Sequence, residues 1–421
     1  MLKFAPLSML TTGTKLGSPI HDQQNRLLLG AGIEITHDLL SHLQKRRIQN
    51  VVVEESDWIR LSAFEPKGEI NSALPNHVPE KSDLHTTATD ELDDSLRETS
   101  NYDIVASEQP FAEQVQSHGA SSYQPDKMNR LLDHHQQTVD QVAELFGQLA
   151  EAGSVASEAL QNVARETVMQ AVDDMDLFVC MGINPVADNS LFAHSTNVAT
   201  LAIALGATLG LDEESLCDLG AGCLVHDAGM QHIDERVYLS EHVLSPVEFL
   251  EITKHPIISA DLLYNKMSRV PVAVRMLVYQ MHERCNGTGY PRGWKADQIH
   301  PLAKIAAVAD AYVALVSPRP HRHAMLPYFA MKEMLEEVKR GLYDSTVVRG
   351  LLHTISLFPI GSYCELSDAR SAKVIRTNGE AYDRPVVEAW RRPHLTAEPE
   401  VLDLVKENID IVKPLTRLNW D

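Results

Sequence analysis

The feature that most constrains this chain is a series of histidines and aspartates that recurs once per predicted helix. Successive members lie roughly 30 residues apart, which is the length of one helix and its connection. Imidazole and carboxylate groups on facing helices of a bundle can converge in its interior, where metal sites are built. The series consists of His194, the pair His226-Asp227, His255, His282 and Asp310.

The stretch from His282 to Pro291 has the pattern of a helix end followed by a tight turn. An apolar helical pattern leads up to His282-Glu283, and two glycines then allow the backbone to turn and to approach a ligand closely. Tyr290 offers an aromatic face and a hydroxyl group, and Pro291 fixes the turn. We therefore expect this stretch to border the site.

Helix start signals place two of the histidines. Asp212 can cap a helix whose apolar stripe ends at His226-Asp227. The run Ser245-Pro246-Val247-Glu248 has the pattern of a capping box with proline at the first helical position. We expect the helix that this box begins to carry His255, where Pro256 disturbs it.

Taken together, these residues resemble the HD-GYP domain, the subset of HD-superfamily metal phosphohydrolases that cleave cyclic di-GMP. The resemblance is strong because the motifs occur in the family's order and include the Gly-Tyr-Pro signature. It implies a mainly α fold, an HD-type helical bundle with a small β-rich N-terminal module and a small β-rich C-terminal tail. The matching positions are His194, His226-Asp227-Ala228-Gly229, His255-Pro256, His282-Glu283, Gly289-Tyr290-Pro291, Ala309-Asp310 and Arg319-Pro320-His321-Arg322.

The resemblance also implies a role for each position. Asp227 would bridge two metals through its two carboxylate oxygens, and Asp227 and His226 are the catalytic pair. The implied metal ligands are His194, His226, Asp227 and Asp310 on the first metal, and Asp227, His255 and His282 on the second. These ligand types suit iron, manganese, zinc or nickel. The implied substrate-binding residues are Tyr290, Arg319 and Arg322, although a solvated helix end is a competing interpretation of the arginines.

Several positions depart from the family pattern. Met281 stands where the family has a second histidine before His282, and Met230 stands where it has a lysine. Asn286 and Val313 replace aspartates of the family pattern. Because a thioether is a poor ligand for a hard divalent metal, we expect one firmly bound metal and a weakened second site.

Two serines also fall on family positions. Ser259 stands where the family favours glycine after the His255-Pro256 motif. Ser190 stands near the position of a glutamate that some members use for a third metal, so we expect no third metal.

The predicted function is a metal-dependent phosphodiesterase that hydrolyses cyclic di-GMP or a related cyclic dinucleotide, with weakened activity. An alternative from another class is a catalytically lapsed nucleotide receptor or protein-interaction module. Metal analysis and a hydrolysis assay distinguish the two, because a receptor binds nucleotide without turnover.

Changes in composition and periodicity divide the chain into five segments. The segment 64–126 is predicted to be a disordered linker, because acidic and other polar residues dominate and apolar residues are sparse. The helical segment after it is either a coiled dimer contact or the first part of the bundle. The segments are a small β-rich module (1–60, with a helix from Thr36 through Arg47 and a strand at Val51–Val53), an acidic linker (64–126), a helical segment (127–180), the HD-GYP-like domain (181–345) and a β-rich tail with a terminal helix (346–421).

Composition limits the partners and the compartment. The net charge of −21 argues against nucleic acid or a membrane surface as the main partner, and leaves a cyclic dinucleotide, a homodimer partner or a signalling protein. Five cysteines without paired spacing are typical of reduced cytosolic thiols, so we expect a cytoplasmic location. No stretch approaches the roughly 18 apolar residues that a membrane helix needs, and no signal peptide is evident.

Overall fold

The structure is a computed structural model, and the chain divides into two units, Met1–Val78 and Pro79–Asp421. The residues that it describes are 2–6, 20–21, 27–29, 35, 50–54, 86–98, 103–119, 121, 125–151, 153–183, 190–240, 242, 244–319, 322, 324–379, 381–390 and 399–415.

The first unit contains an antiparallel sheet with the strand order β1-β4-β2-β3. The β-branched run at Val51–Val53 lies in β4, as predicted, and pairs with β1 in the register Lys3 to Val53 and Ala5 to Val51. The helix predicted from Thr36 through Arg47 lies outside the described residues. The strands are β1 (Leu2–Pro6), β2 (Ile20–His21), β3 (Leu27–Leu29) and β4 (Asn50–Glu54).

The second unit is a helical bundle followed by a small sheet, so the predicted mainly α fold class is confirmed. The helices are α1 (Thr87–Glu98), α2 (Pro125–Ala150), α3 (Ser157–Gln170), α4 (Met175–Ile183), α5 (Leu191–Thr208), α6 (Glu213–Val225), α7 (Glu235–Tyr238), α8 (Pro246–Ile252), α9 (His255–Lys266), α10 (Val272–Gln280), α11 (Pro301–Val316), α12 (Pro327–Lys339), α13 (Ser345–Ile355) and α14 (Leu404–Glu407).

Helix α5 lies at the centre of the bundle and packs against α4, α6 and α11. Its small and aliphatic residues are buried along almost the whole helix, which explains why its sequence shows little amphipathic pattern. Among the described helices, α5 is the one long and apolar enough to cross a membrane by length and composition, and 78% of it is buried inside the protein. A buried core helix of a bundle has this composition.

Capping residues set the helix boundaries near the site. Asp212 accepts a hydrogen bond from the backbone N–H of Ser215, and Ser245 and Glu248 form the reciprocal bonds of a capping box, as predicted. The expectation for His255 was wrong in one respect. That residue begins a separate helix, α9, because Pro256 has no N–H to donate and is therefore tolerated only in a first turn.

The segment 64–126 differs from the predicted disordered linker where the structure describes it. Residues 87–98 form helix α1, and Thr86 and Thr89 cap its start through reciprocal hydrogen bonds between hydroxyls and backbone N–H groups. Phe111 is fully buried in the main core, and its N–H donates to the carbonyl of Leu211. Average composition missed these elements because a few apolar residues suffice when neighbouring helices supply the rest of the apolar contact.

The C-terminal part forms an antiparallel sheet with the strand order β8-β7-β6-β5-β9. Where the structure describes the C-terminal residues, the predicted terminal helix corresponds to the single turn α14 between two strands. A buried ion pair between Arg376 of β6 and Asp174, with N–O distances of 2.6 and 2.9 Å, ties the sheet to the helices. The strands are β5 (Tyr363–Leu366), β6 (Ser371–Arg376), β7 (Val386–Trp390), β8 (Glu400–Asp403) and β9 (Ile411–Leu415).

Candidate metal centre

Five helices of the bundle bring the predicted ligand residues to one place. His194 lies in the first turn of α5, whose N-cap Ser190 accepts a hydrogen bond from the N–H of Ala193. The other ligand residues are buried: His226 caps the C-terminus of α6 and Asp227 follows it, His255 begins α9, His282 follows α10, and Asp310 lies within α11.

The two carboxylates lie between the four imidazoles. Asp227 places one oxygen 3.3 Å from Nε2 of His226 and the other 3.4 Å from Nε2 of His255. Asp310 places its oxygens 3.1 Å from Nε2 of His194 and 3.7 Å from Nδ1 of His282. The structure thus brings together all six residues that the sequence predicts as ligands.

Backbone carbonyls orient two of the imidazoles toward the centre. Nδ1 of His226 donates to the carbonyl of Cys223, and Nδ1 of His255 donates to the carbonyl of Ile252, each over 2.7 Å. With Nδ1 held in this way, Nε2 is the nitrogen through which each ring can ligate a metal once that nitrogen is deprotonated.

Three buried ring nitrogens test whether the site fits a metal. Nε2 of His226, His255 and His282 makes no hydrogen bond with any residue that the structure describes. A buried polar atom without a partner is costly, and a metal ion satisfies a set of convergent imidazole nitrogens. Two groups, His194-His226-Asp310 and His226-Asp227-His282, each offer ligand atoms within 4.8 Å of one another. The residues therefore fit a divalent metal.

Burial and neighbouring charges shift the pKa values of the acids and bases in the centre. Burial alone would lower the pKa of His226, but the charges of Asp227 and Asp310 outweigh it and raise that pKa to about 9. Burial alone would raise the pKa of Asp227, but His226 and the other imidazoles hold it well below its usual value. Burial and the neighbouring His255 lower the pKa of His282 well below its usual value. Burial alone would also raise the pKa of Asp310, but the hydrogen bond from His194 and the neighbouring histidines lower it. These shifts favour the anionic form of both aspartates and the neutral form of His282.

Glu283 organises the signature loop, which we define as residues 283–294. Its buried carboxylate accepts hydrogen bonds from the backbone N–H groups of Arg292, Gly293 and Trp294 over 2.7 to 3.1 Å. Burial raises the pKa of Glu283 to about 7, although these three bonds act in the opposite direction. The sequence placed this residue beside a ligand without indicating its role in the loop.

The two glycines of the signature loop serve the turn as expected. Gly287 adopts a φ of +82°, which is the left-handed region that favours glycine. A Cβ atom at Gly289 would lie 2.3 Å from the backbone nitrogen of Arg284, so only glycine fits there. The turn presents Tyr290, whose ring stacks on that of His282 at 5.0 Å and meets Phe249 edge-on at 6.0 Å.

The predicted substrate-binding arginines have different environments. Arg319 is exposed. Burial raises the pKa of the Tyr290 hydroxyl, and the positive charge of Arg319 acts in the opposite direction. The guanidinium of Arg322 donates to the carbonyls of Ala314 and Leu315 at the end of α11, over 2.6 and 3.2 Å. These bonds cap the end of α11, and the predicted role of Arg322 in substrate binding stays a prediction.

The residues that depart from the family pattern lie in different environments. Met281 and Val313 are fully buried in the main hydrophobic core, and Met230 is buried at 8% exposure. Asn286 is exposed, and its side-chain oxygen accepts bonds from the N–H and the hydroxyl of Thr288 within the turn.

Ser259 is a residue whose importance the sequence did not indicate. Its hydroxyl accepts a bond from the N–H of Gly229 over 2.8 Å and donates to the carbonyl of His226 over 2.7 Å. It therefore links the turn that carries His226 and Asp227 to the helix that begins with His255. The available signal was its departure from the glycine of the family pattern.

Parts of this chain are similar to known proteins and to one family model. An HD domain family model matches residues 182–347. A cyclic di-GMP phosphodiesterase of Pseudomonas aeruginosa is 29% identical over 220 residues, or 52% of each chain. A 3'3'-cGAMP-specific phosphodiesterase of Vibrio cholerae is 36% identical over 157 residues, or 37% of this chain and 36% of that protein.

Among solved structures, an HDG"Y"P protein from Bdellovibrio bacteriovorus matches with a TM-score of 0.45 and 17% identity, covering 83% of this chain and 98% of that one. The chain spans about half the length, or less, of the curated relatives that it matches.

Proposed function

Residues 182–347 of this chain belong to the HD domain family and carry the HD-GYP signature, and from that premise we propose that the chain is a cyclic dinucleotide phosphodiesterase. The observation that carries the proposal is the convergence of four imidazoles on two buried carboxylates among the described residues, with the unpartnered Nε2 atoms of His226 and His255 facing Asp227. Relatives named for cyclic di-GMP and for 3'3'-cGAMP support this substrate class.

The proposed ligands are the six converging residues. His194, His226, Asp227 and Asp310 would hold the first divalent metal, and Asp227, His255 and His282 would hold the second. Iron, manganese, zinc and nickel all suit these ligand types. Such ions neutralise the phosphodiester and lower the pKa of water that they bind.

The chain's own groups supply the rest of the proposed chemistry. Asp227 faces a different histidine with each oxygen, and this arrangement suits a bridging carboxylate. Arg319 binds a substrate phosphate, and Tyr290, held against His282, orients the nucleotide at the edge of the site. The free thiols of all five cysteines are consistent with the proposed cytoplasmic location.

Met281 limits the proposed activity, and it is also the residue that favours the second candidate function, a nucleotide receptor without turnover. Its thioether lies in the hydrophobic core, so the second metal keeps two imidazoles and one shared carboxylate. One metal can polarise a phosphoryl oxygen but cannot clamp both the attacking and the leaving oxygen. We therefore propose one tightly bound metal per chain and weakened turnover.

The test compares metal content and hydrolysis of cyclic di-GMP and 3'3'-cGAMP in the wild type, Met281→His and Met281→Leu. We expect Met281→His to raise the metal content toward two per chain and to increase the hydrolysis rate. Met281→Leu preserves apolar packing without adding a ligand, and should match the wild type.

If the proteins bind either nucleotide and none of the three hydrolyses it, the result would support the receptor. Two metals and rapid hydrolysis in the wild type would refute the weakened second site. Absence of both metal and nucleotide binding would refute both functions.

A further inference from the structure

Helix α1 packs against α9 and α10 on the side of the signature loop. Leu92 is buried in a small cluster with Ile257, Met276 and Tyr279, and Trp294 of the loop packs against that cluster. The hydroxyl of Tyr264 on α9 donates to Glu91 over 2.7 Å, and this bond adds a polar contact to the apolar one. Helix α1 therefore contacts both the bundle and the loop.

A chain of polar contacts runs from α1 to the backbone of the loop. Asp93 lies 3.2 Å from the guanidinium of Arg292, and both side chains are largely buried, at 16% and 12% exposure. Nε of Arg292 donates to the Tyr279 hydroxyl over 2.6 Å, and the N–H of Arg292 donates to Glu283 over 2.7 Å. Arg292 follows Tyr290 by two residues, so its position affects the turn that presents Tyr290.

We infer that α1 is a positioning element for the signature loop, with Asp93 holding Arg292 and thereby Tyr290. This inference rests on the proposed function for its effect on the substrate, because Tyr290 is assigned there to nucleotide binding. The contacts themselves are independent of that function. Asp93 and Arg292 are not among the six ligand residues and would act on the site through the loop.

Burial is the reason that this pair differs from an ordinary surface ion pair. Exposed pairs contribute little, since water screens them and flexible side chains resist ordering. Asp93 and Arg292 are mostly shielded from water. Tyr279 also fixes Arg292, because its hydroxyl accepts a hydrogen bond from Nε and its ring centroid lies 5.8 Å from the guanidinium carbon. Removal of one partner leaves a buried charge and should loosen the loop.

The first measurement is amide hydrogen exchange of the full-length protein in the peptide that spans residues 286–298. We expect Asp93→Asn to speed exchange there by about tenfold, because local opening becomes easier once the charge that holds Arg292 is lost. Asp93→Glu keeps the charge and should restore slow exchange. Asp90→Asn removes the same charge from an exposed position of the same helix and should leave the loop unchanged.

The second measurement is steady-state hydrolysis of cyclic di-GMP by the same variants. A positioning role predicts that Asp93→Asn raises KM several-fold while the metal content stays constant. A merely structural role lowers the fraction of folded enzyme and hence kcat, with KM unchanged. Rescue of KM by Asp93→Glu therefore separates the two roles.

Leu92→Asp is an independent perturbation, since it places a charge in the apolar cluster and should detach α1. We expect fast exchange in both α1 and the loop, with slow exchange retained in α5 and α11. Fast exchange confined to α1, or unchanged exchange in Asp93→Asn, would overturn the inference. If every protein lacks hydrolysis, the proposed function fails while the exchange data still decide the role of α1.

Discussion

Ser259→Ala tests whether one hydroxyl holds the two halves of the candidate metal centre together. The substitution removes a single oxygen from a residue that is fully buried. It leaves the N–H of Gly229 without its partner and takes one bond from the carbonyl of His226. The helix should keep its shape, because alanine favours helices at least as well as serine.

The magnitude follows from these two bonds. A typical bond contributes about 1 kcal/mol net, and a buried donor left unpaired costs about 1–3 kcal/mol. We therefore expect the free energy of unfolding to fall by about 2–3 kcal/mol. Metal affinity should fall by about tenfold or more, as for other groups that orient metal ligands.

The assay is urea unfolding of the metal-free protein together with metal titration of the folded protein. Thr200→Val is the matched control, because the Thr200 hydroxyl is also buried but, within the described part of the chain, bonds only the Thr196 carbonyl of its own helix. That control should cost less than about 1 kcal/mol and leave metal affinity unchanged. If Ser259→Ala behaves like the control in both measurements, the hydroxyl does not tie the two segments.

Three further predictions follow from close packing and buried charge. Gly229→Ala would place a Cβ atom 2.3 Å from the carbonyl oxygen of His255 and should abolish metal binding or soluble expression. The control Gly147→Ala places its Cβ atom where no neighbour lies within 4 Å, and it should raise Tm. Normal metal content in Gly229→Ala would contradict this expectation. Asp174→Asn should lower the free energy of unfolding by about 3 kcal/mol, because it removes the carboxylate that makes the two short contacts with buried Arg376 and leaves the longer contact to Asp176 at 3.6 Å. A change below about 1 kcal/mol in urea unfolding would show that Asp176 compensates. Burial and a neighbouring glutamate raise the pKa of Asp218 from 3.8 to about 6, so the folded protein binds an extra proton between these pH values and loses stability as pH rises through them. Asp218→Asn should therefore stabilise the protein at pH 7–8, by about 1 kcal/mol after allowance for partial exposure, and a gain that persists below pH 4 would refute the charge explanation.

The sequence predicted most of the bundle because its strongest local signals coincide with real helix ends. Asp212 and Ser245 have capping side chains whose partners lie a few residues away, so a local pattern suffices to find them. His255 was assigned to the end of one helix and in fact begins the next. Proline near a helix start and proline near a break give the same local pattern, and only the packing of both helices decides between them.

Long-range contacts account for what the sequence could not predict. Leu92 is one apolar residue in an acidic stretch, and its partners on α9 and α10 lie more than 160 positions along the chain. Arg322 matches a family position, yet its guanidinium bonds carbonyls that only the fold brings near it. Composition and motif order cannot register contacts of this kind, because the partner's position depends on the path of the chain between them.

In the candidate site, the sequence likewise predicted the residues but not the positions of their atoms. Spacing identified six residues, but it could not say which oxygen of Asp227 faces which histidine, or that Cys223 and Ile252 supply the carbonyls that orient two rings. Those orientations decide the chemistry, since an imidazole ligates through a free nitrogen and its opposite nitrogen must be held elsewhere. The proposed weakening of the second site follows the same reasoning. Met281 is fully buried in the hydrophobic core, so we expect the fold to tolerate it and its effect to fall on the metal.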